Sequence, residues 1–149
     1  MRWSRWVRLY LCGALAVCLF TAVGLMRNPY GSHSSGVAVT EAEYYLYSLS
    51  SRAKIAKELS LRDLPWYTGE KRVFRFQTQE EAGRYALKLL SERGARVIFE
   101  ETVAGVRSIY AYVRGGGSGV SLQGAPVNLH LALFENCVQV GIPIIFGGY

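Results

Sequence analysis

Residues 71–94, KRVFRFQTQEEAGRYALKLLSERG, contain the change of hydrophobic period on which the fold turns. KRVFRFQ alternates Arg72, Phe74 and Phe76 against Val73, Arg75 and Gln77, the pattern of a strand with one ring-bearing face over 71–77. Thr78 and Glu81 then stand in capping-box spacing, and Ala82, Tyr85, Ala86, Leu89 and Leu90 recur at helical spacing. Gly94 occupies the place of a left-handed helix cap, so a helix is predicted over 79–93. A strand followed at once by an amphipathic helix calls for a sheet on which that helix lies.

Downstream, the sequence predicts four strands, RVIFEET at 96–102, VRSIYAYVR at 106–114, VNLHLALF at 127–134 and CVQVGIPII at 137–145. Gly105, the run Gly115–Gly119 and Glu135-Asn136 punctuate them, and the four can pair as a meander. The glycine run lies between strands, lacks a following Lys-Ser/Thr pair and opens onto no helix, so it reads as a hairpin connection rather than a phosphate loop. Upstream, Leu64–Gly69 reads as a loop. Thr40 and Glu43 form another capping-box pattern, followed by Tyr45, Leu46, Leu49, Ala53, Ala56 and Leu59 near helical spacing, which predicts a helix over 41–59. The expected class is α+β, an antiparallel sheet with helices on one face. Residues 1–26 are a targeting segment, 27–40 a flexible linker and 41–149 the α+β domain.

The targeting segment contains LYLCGALAVCLFTAVGLM at 9–26, uncharged throughout, preceded by Arg2, Arg5 and Arg8 and followed by Arg27. As a helix it would span about 27 Å, close to the roughly 30 Å hydrocarbon core of a bilayer. It reads as a membrane anchor or a signal peptide; Ala22-Val23-Gly24 is the best cleavage candidate. A lipoprotein reading at Cys18 fails because Val17 is not small and the apolar run continues. The arginine bias predicts that the carboxy-terminal part faces outward, so the chain is expected at the cell membrane with that domain extracytoplasmic, or secreted if the segment is cleaved.

Assigning those four arginines to the segment changes the meaning of the charge. Seventeen basic residues against eleven acidic give +6 for the chain, but thirteen against eleven, or +2, beyond residue 27. That is too small for a phosphate-backbone binder, and no nucleic acid is expected. Cys12 and Cys18 lie in the apolar run, leaving Cys137, which with His33 and His130 makes neither an intramolecular disulfide nor a metal cluster. No cofactor is implied. Glu100-Glu101 are strand neighbours pointing to opposite faces, Asp63 is the only aspartate, and no nucleophile is placed near His130, so no enzymatic activity is expected.

If Phe74, Phe76, Ile109, Ala111, Leu129, Leu131, Val138, Val140 and Ile142 face the helices, strand alternation sends Arg75, Tyr110, Tyr112, Arg114, His130 and Gln139 to the other side. These six are the candidate binding residues, an open face with rings and cations but few acids, suited to holding a partner by aromatic anchors and arginine. Cys137 falls on the same side.

The ending VNLHLALFENCVQVGIPIIFGGY, through Asn128, Leu129, Ala132, Gly141, Pro143, Ile144, Ile145 and Tyr149, resembles the signature of the YwmB-like family of spore-forming Gram-positive bacteria. The resemblance implies a fold like that of the TATA-box-binding protein, whose half-unit runs strand, helix, four strands and helix, together with a cell-envelope setting and an association with sporulation. The chain looks like a shortened relative, with 41–59 as the last helix of a missing first half and a sheet edge that a second copy could complete. The expected function is a non-enzymatic envelope protein that binds a protein or wall polymer. A nucleic-acid binder, suggested by the fold resemblance, and a wall-modifying enzyme using His130, Glu100 and Glu101 are the alternatives.

Overall fold

The computed structural model describes residues 37–48, 54–117 and 119–146; the apolar run at 9–26 and the spacer up to residue 36 lie outside them. Among the described residues no helix is long and apolar enough to cross a membrane. The compact unit begins at Val37, and strand β1 (Val39–Leu46) already occupies the end of the expected linker. β2 (Lys54–Ala56), a short 3-10 turn (Leu64–Trp66), β3 (Tyr67–Arg75), α1 (Gln79–Glu92), β4 (Arg96–Val103) and β5 (Val106–Tyr112) follow. A small hairpin, β6 (Val120–Leu122) and β7 (Ala125–Val127), precedes β8 (Leu129–Leu133) and β9 (Cys137–Ile142). Seven strands form one antiparallel sheet in the order β2-β1-β3-β9-β8-β5-β4. The fold is α+β, and β4, β5, β8 and β9 form the expected meander around the inserted hairpin.

The expected helix over 41–59 is not formed in the described residues. Its first part is β1, paired with β3 from Val39↔Phe74 to Leu46↔Tyr67, and Lys54–Ala56 pairs back on β1. The aromatic run Tyr44-Tyr45-Leu46-Tyr47 has strong β preference, and the exposed edge of β3 supplies the partner that local periodicity cannot foresee. Glu43, expected to cap a helix, instead lies 2.7 Å from Lys71 on the neighbouring strand. β3 also starts earlier than its alternation suggested, at Tyr67.

α1 matches the sequence closely. The Thr78 hydroxyl accepts from the Glu81 N–H, and the Glu81 carboxylate accepts from the Gln77 N–H. Gly94, at φ +55, lets the chain turn so that Ala95 N–H reaches the Leu90 carbonyl. Ala82, Tyr85, Ala86, Leu89 and Leu90 are buried against the sheet, with Tyr85 touching Phe74 and Phe76 at ring separations of 4.9 and 5.1 Å. Register places Phe74, Val138 and Leu133 in one row and Val140, Leu131 and Ile109 in the next, all on this face. Leu131 and Val138 are fully buried.

The connections have local causes. β4 and β5 are joined by Ala104-Gly105 and β6 and β7 by Gln123-Gly124, two-residue turns in which both residues have positive φ. The loop containing the glycine run is fastened by buried Asn128, whose side-chain oxygen accepts from Val113 N–H at 2.7 Å and whose amide donates to the Val113 carbonyl at 2.9 Å. A Cβ on Gly119 would lie 2.5 Å from the Val127 carbonyl oxygen, so that glycine is required for close approach.

Candidate recognition surface

The face away from α1 is built around a row of rings contributed by adjacent strands. Phe99 on β4 lies opposite Tyr110 on β5, and Tyr110 opposite His130 on β8. Their planes are nearly parallel, with centroids 4.3 Å apart for Phe99 and Tyr110 and 4.2 Å apart for Tyr110 and His130. The Tyr110 hydroxyl donates to Glu101 at 2.8 Å, which fixes the ring at its outer end. The row thus carries its own orientation, and Phe99, Tyr110 and Tyr112 remain half-exposed.

The inner end of the row is closed by the chain's own carboxy-terminal segment. β9 stops at Ile142 rather than running to residue 145, since Pro143 has no N–H to donate to the ladder. The segment from Pro143 to Phe146 then crosses this face at Gly141, where an added Cβ would lie 2.6 Å from the Ile145 nitrogen. Ile145 N–H donates to His130 Nδ1 at 3.2 Å, and Phe146 N–H donates to the Tyr45 hydroxyl at 3.2 Å. The Phe146 ring meets Tyr45 edge-on at 5.0 Å. Burial lowers the His130 pKa to about 4, a shift that the nearby Glu101 charge only partly opposes. His130 is therefore a neutral acceptor inside the fold. Burial also raises the Tyr45 pKa, against the Phe146 hydrogen bond.

The six candidate residues are not equivalent. Tyr110, His130 and Gln139 share this face by register, and Arg75 joins them opposite Cys137. Tyr112 lies opposite Arg96 at the end of β5, whereas Arg114 falls in the turn beyond it. His130 was expected on an open face and is instead 2% exposed, because the terminal segment and the ring of Tyr110 cover it. The expectation of few acids is also corrected. Once 41–46 is a strand, Glu41 and Glu43 enter the sheet, and Arg75 is paired with Glu41 at 3.0 Å. Cys137 is buried, and its thiol pKa is raised by burial.

Three features escaped sequence reasoning. Phe99 and Glu101 were assigned to a strand without a face, since a register irregularity between Val97 and Phe99 interrupts simple alternation. Tyr45 and Phe146 meet across a large chain separation that no local pattern reports. On the helix side, buried Glu70 lies 2.9 Å from Arg72, and Tyr67 is also engaged with that carboxylate. Burial, then the Glu70 charge and hydrogen bond, push the Tyr67 pKa up. The spacing Glu70-x-Arg72 along one strand was the available signal for that pair.

Glu100 and Glu101 do point apart, Glu100 to Arg107 at 2.6 Å and Glu101 to Tyr110. No group of three or more His, Cys, Asp or Glu side chains able to hold a metal ion occurs among the described residues. Comparison with known protein families, with curated proteins and with solved structures finds no match to this chain.

Proposed function

We propose that the protein is a non-enzymatic cell-envelope protein, tethered by residues 9–26 or exported, that holds an envelope protein or wall polymer against the β4–β5 side of its sheet. The observation that carries this reading is the half-exposed ring row Phe99–Tyr110, in which Tyr110 is held both by its hydroxyl bond to Glu101 and by the ring of buried His130. Rings whose rotamers are fixed before binding lose little entropy when a partner arrives, and aromatic anchors dominate many recognition surfaces. The ion pair Arg75–Glu41 and the Tyr110–Glu101 bond leave a mixed surface rather than a cationic one, which favours this partner class over nucleic acid.

The same reading places the chain with the YwmB-like family. Its support is the strand-helix-four-strand order of the main sheet from β3 to β9, interrupted by the β6–β7 hairpin, in which β3 pairs with the last strand of the meander, as in a half-unit like that of the TATA-box-binding protein. Sporulation association and completion of the sheet by a second copy belong to this proposal. The latter would use the β4 edge, where Glu100 and Glu101 disfavour the self-pairings that set either against its own copy. Similarity to a DNA-binding fold does not transfer DNA binding.

The test is site-specific photocrosslinking in native membranes, with the reactive residue placed at position 99 or 112 and, as a control, at exposed position 87 on α1. Adducts with an envelope component from 99 and 112 but not 87, lost in Tyr110→Ala with unchanged circular dichroism, are the expected result. Equal labelling at all three positions, or none, overturns the reading. Salt-dependent retention on an oligonucleotide would favour the nucleic-acid alternative, and a wall-modifying activity abolished by replacing His130, Glu100 and Glu101 in a folded chain would favour the enzyme.

A further inference from the structure

Large apolar side chains exposed among the described residues are concentrated at one end of the domain. Of nine such residues, Tyr47, Ile55, Leu61, Trp66 and Phe146 belong to the end formed by β1, β2 and the turn before β3, while Val39, Leu87, Val97 and Val103 lie on other elements. Four of the five fall into two groups, Tyr47 with Trp66, and Ile55 and Phe146 each beside Tyr45. Tyr47 and Trp66 have nearly parallel rings, 13° apart in plane and 6.3 Å between centroids, and Tyr47 N–H donates to the Trp66 carbonyl at 2.6 Å. Ile55 lies opposite Tyr45 across the strand pair, and Phe146 packs on the same Tyr45 ring. Leu61, 77% exposed, tops the turn that Asp63 closes onto Ser60.

Three exposed cations, Lys54, Lys57 and Arg62, lie on the same stretch of chain as Ile55, Leu61 and Trp66. The same stretch carries two acids: Glu58 is exposed, and Asp63 is engaged by Ser60 and lies 3.9 Å from Lys54. Tryptophan and tyrosine beside aliphatic tips and basic residues suit the headgroup layer of a bilayer, where rings bury their apolar part and cations meet anionic lipid.

The tether gives the patch access to such a surface. Ten residues, 27–36, separate the apolar run from Val37, a reach of at most about 35 Å. β1 is eight residues long, about 27 Å, so this tether can turn the far end of β1 toward the membrane in which the run sits. We infer that the Tyr47–Trp66 end of the domain is a second membrane contact that lays the domain on an anionic lipid surface. The inference rests on the reading of residues 9–26 as an anchor.

The experiment uses the full chain in vesicles, with Trp3→Phe and Trp6→Phe leaving Trp66 as the only tryptophan. The expected result is quenching of Trp66 fluorescence by lipids brominated near the headgroup in phosphatidylglycerol-containing vesicles. That quenching should be lost in pure phosphatidylcholine and in the variant Lys54→Gln/Lys57→Gln/Arg62→Gln, whose surface affinity falls roughly 100-fold. Retention of the chain after alkaline carbonate extraction reports on the anchor separately. A retained chain whose Trp66 is unquenched by bromolipid and open to acrylamide overturns the inference and leaves the anchor reading intact. Trp66 shielded from acrylamide without bromolipid quenching assigns the patch to a protein, with a dependence on chain density identifying a second copy, and likewise overturns the inference.

Discussion

Beneath α1, Leu131, Ile109, Val138 and Val140 form consecutive rows of aliphatic side chains with almost no exposure, and Ala82, Ala86 and Leu89 close over them. On the other side of the same strands, His130 and Tyr110 are held by ring stacking and by hydrogen bonds that include those to Ile145 and Glu101. The first face tolerates exchange of one apolar side chain for another of like volume, because dispersion and burial are not directional. The second depends on particular atoms, so its losses are specific to residue and pH. A binding surface benefits from the second arrangement, and the stability it needs comes from the first.

The sharpest exception to this contrast is the ion pair on the helix side. Arg72→Met leaves the Glu70 carboxylate buried without its counter-charge and is expected to cost about 4 kcal/mol in urea unfolding. Glu70→Leu combined with Arg72→Met should recover most of that loss; failure to recover would show that the pair holds the fold by more than mutual neutralisation. Leu131→Ala, at a fully buried position, should cost about 3 kcal/mol by the same measurement.

On the other face the expected signature is pH dependence. His130 is held neutral with a pKa near 4, below the ordinary 6.5, so its contribution is complete above pH 6.5. As pH falls from 6.5 to 4 the unfolded chain takes up a proton that the folded chain refuses, and stability declines. Over that window the wild type should lose roughly 2–3 kcal/mol more than His130→Phe. Equal slopes for the two proteins would remove His130 from the account. Tyr45→Phe, which deletes only the acceptor for Phe146 N–H, should cost about 1 kcal/mol and increase proteolysis of the terminal segment.

The contrast between the faces also explains how much could be read beforehand. Rows of Leu, Ile and Val repeat with the period of the strand, and Thr78, Glu81 and Gly94 mark both ends of α1, so the helix, its buried positions and the meander were legible. The region before Tyr67 was not. Tyr45, Leu46 and Ala56 fit a helical repeat, and only the unoccupied edge of β3, which is a property of the folded sheet, decides against it. The ring row was half legible: alternation put Tyr110 and His130 on one face, but the cover over His130 comes from Ile145, fifteen residues away along the chain. Exposure of a face depends on what later crosses it, and periodicity carries no information about that.

Asn128 bonds through its side chain to both backbone groups of Val113 and so stands in for a strand residue at the root of the β6–β7 hairpin. Beyond that clasp the hairpin links β5 to β8, with Val127 at its base buried in the core and Gln123-Gly124 at its tip. The tip at Gln123-Gly124 is accordingly a natural graft point: a peptide tag or a small foreign domain inserted there would be carried outward while the seven-stranded sheet keeps its register. The same clasp makes the hairpin a place where related chains could vary in length without any change to the register of the seven-stranded sheet.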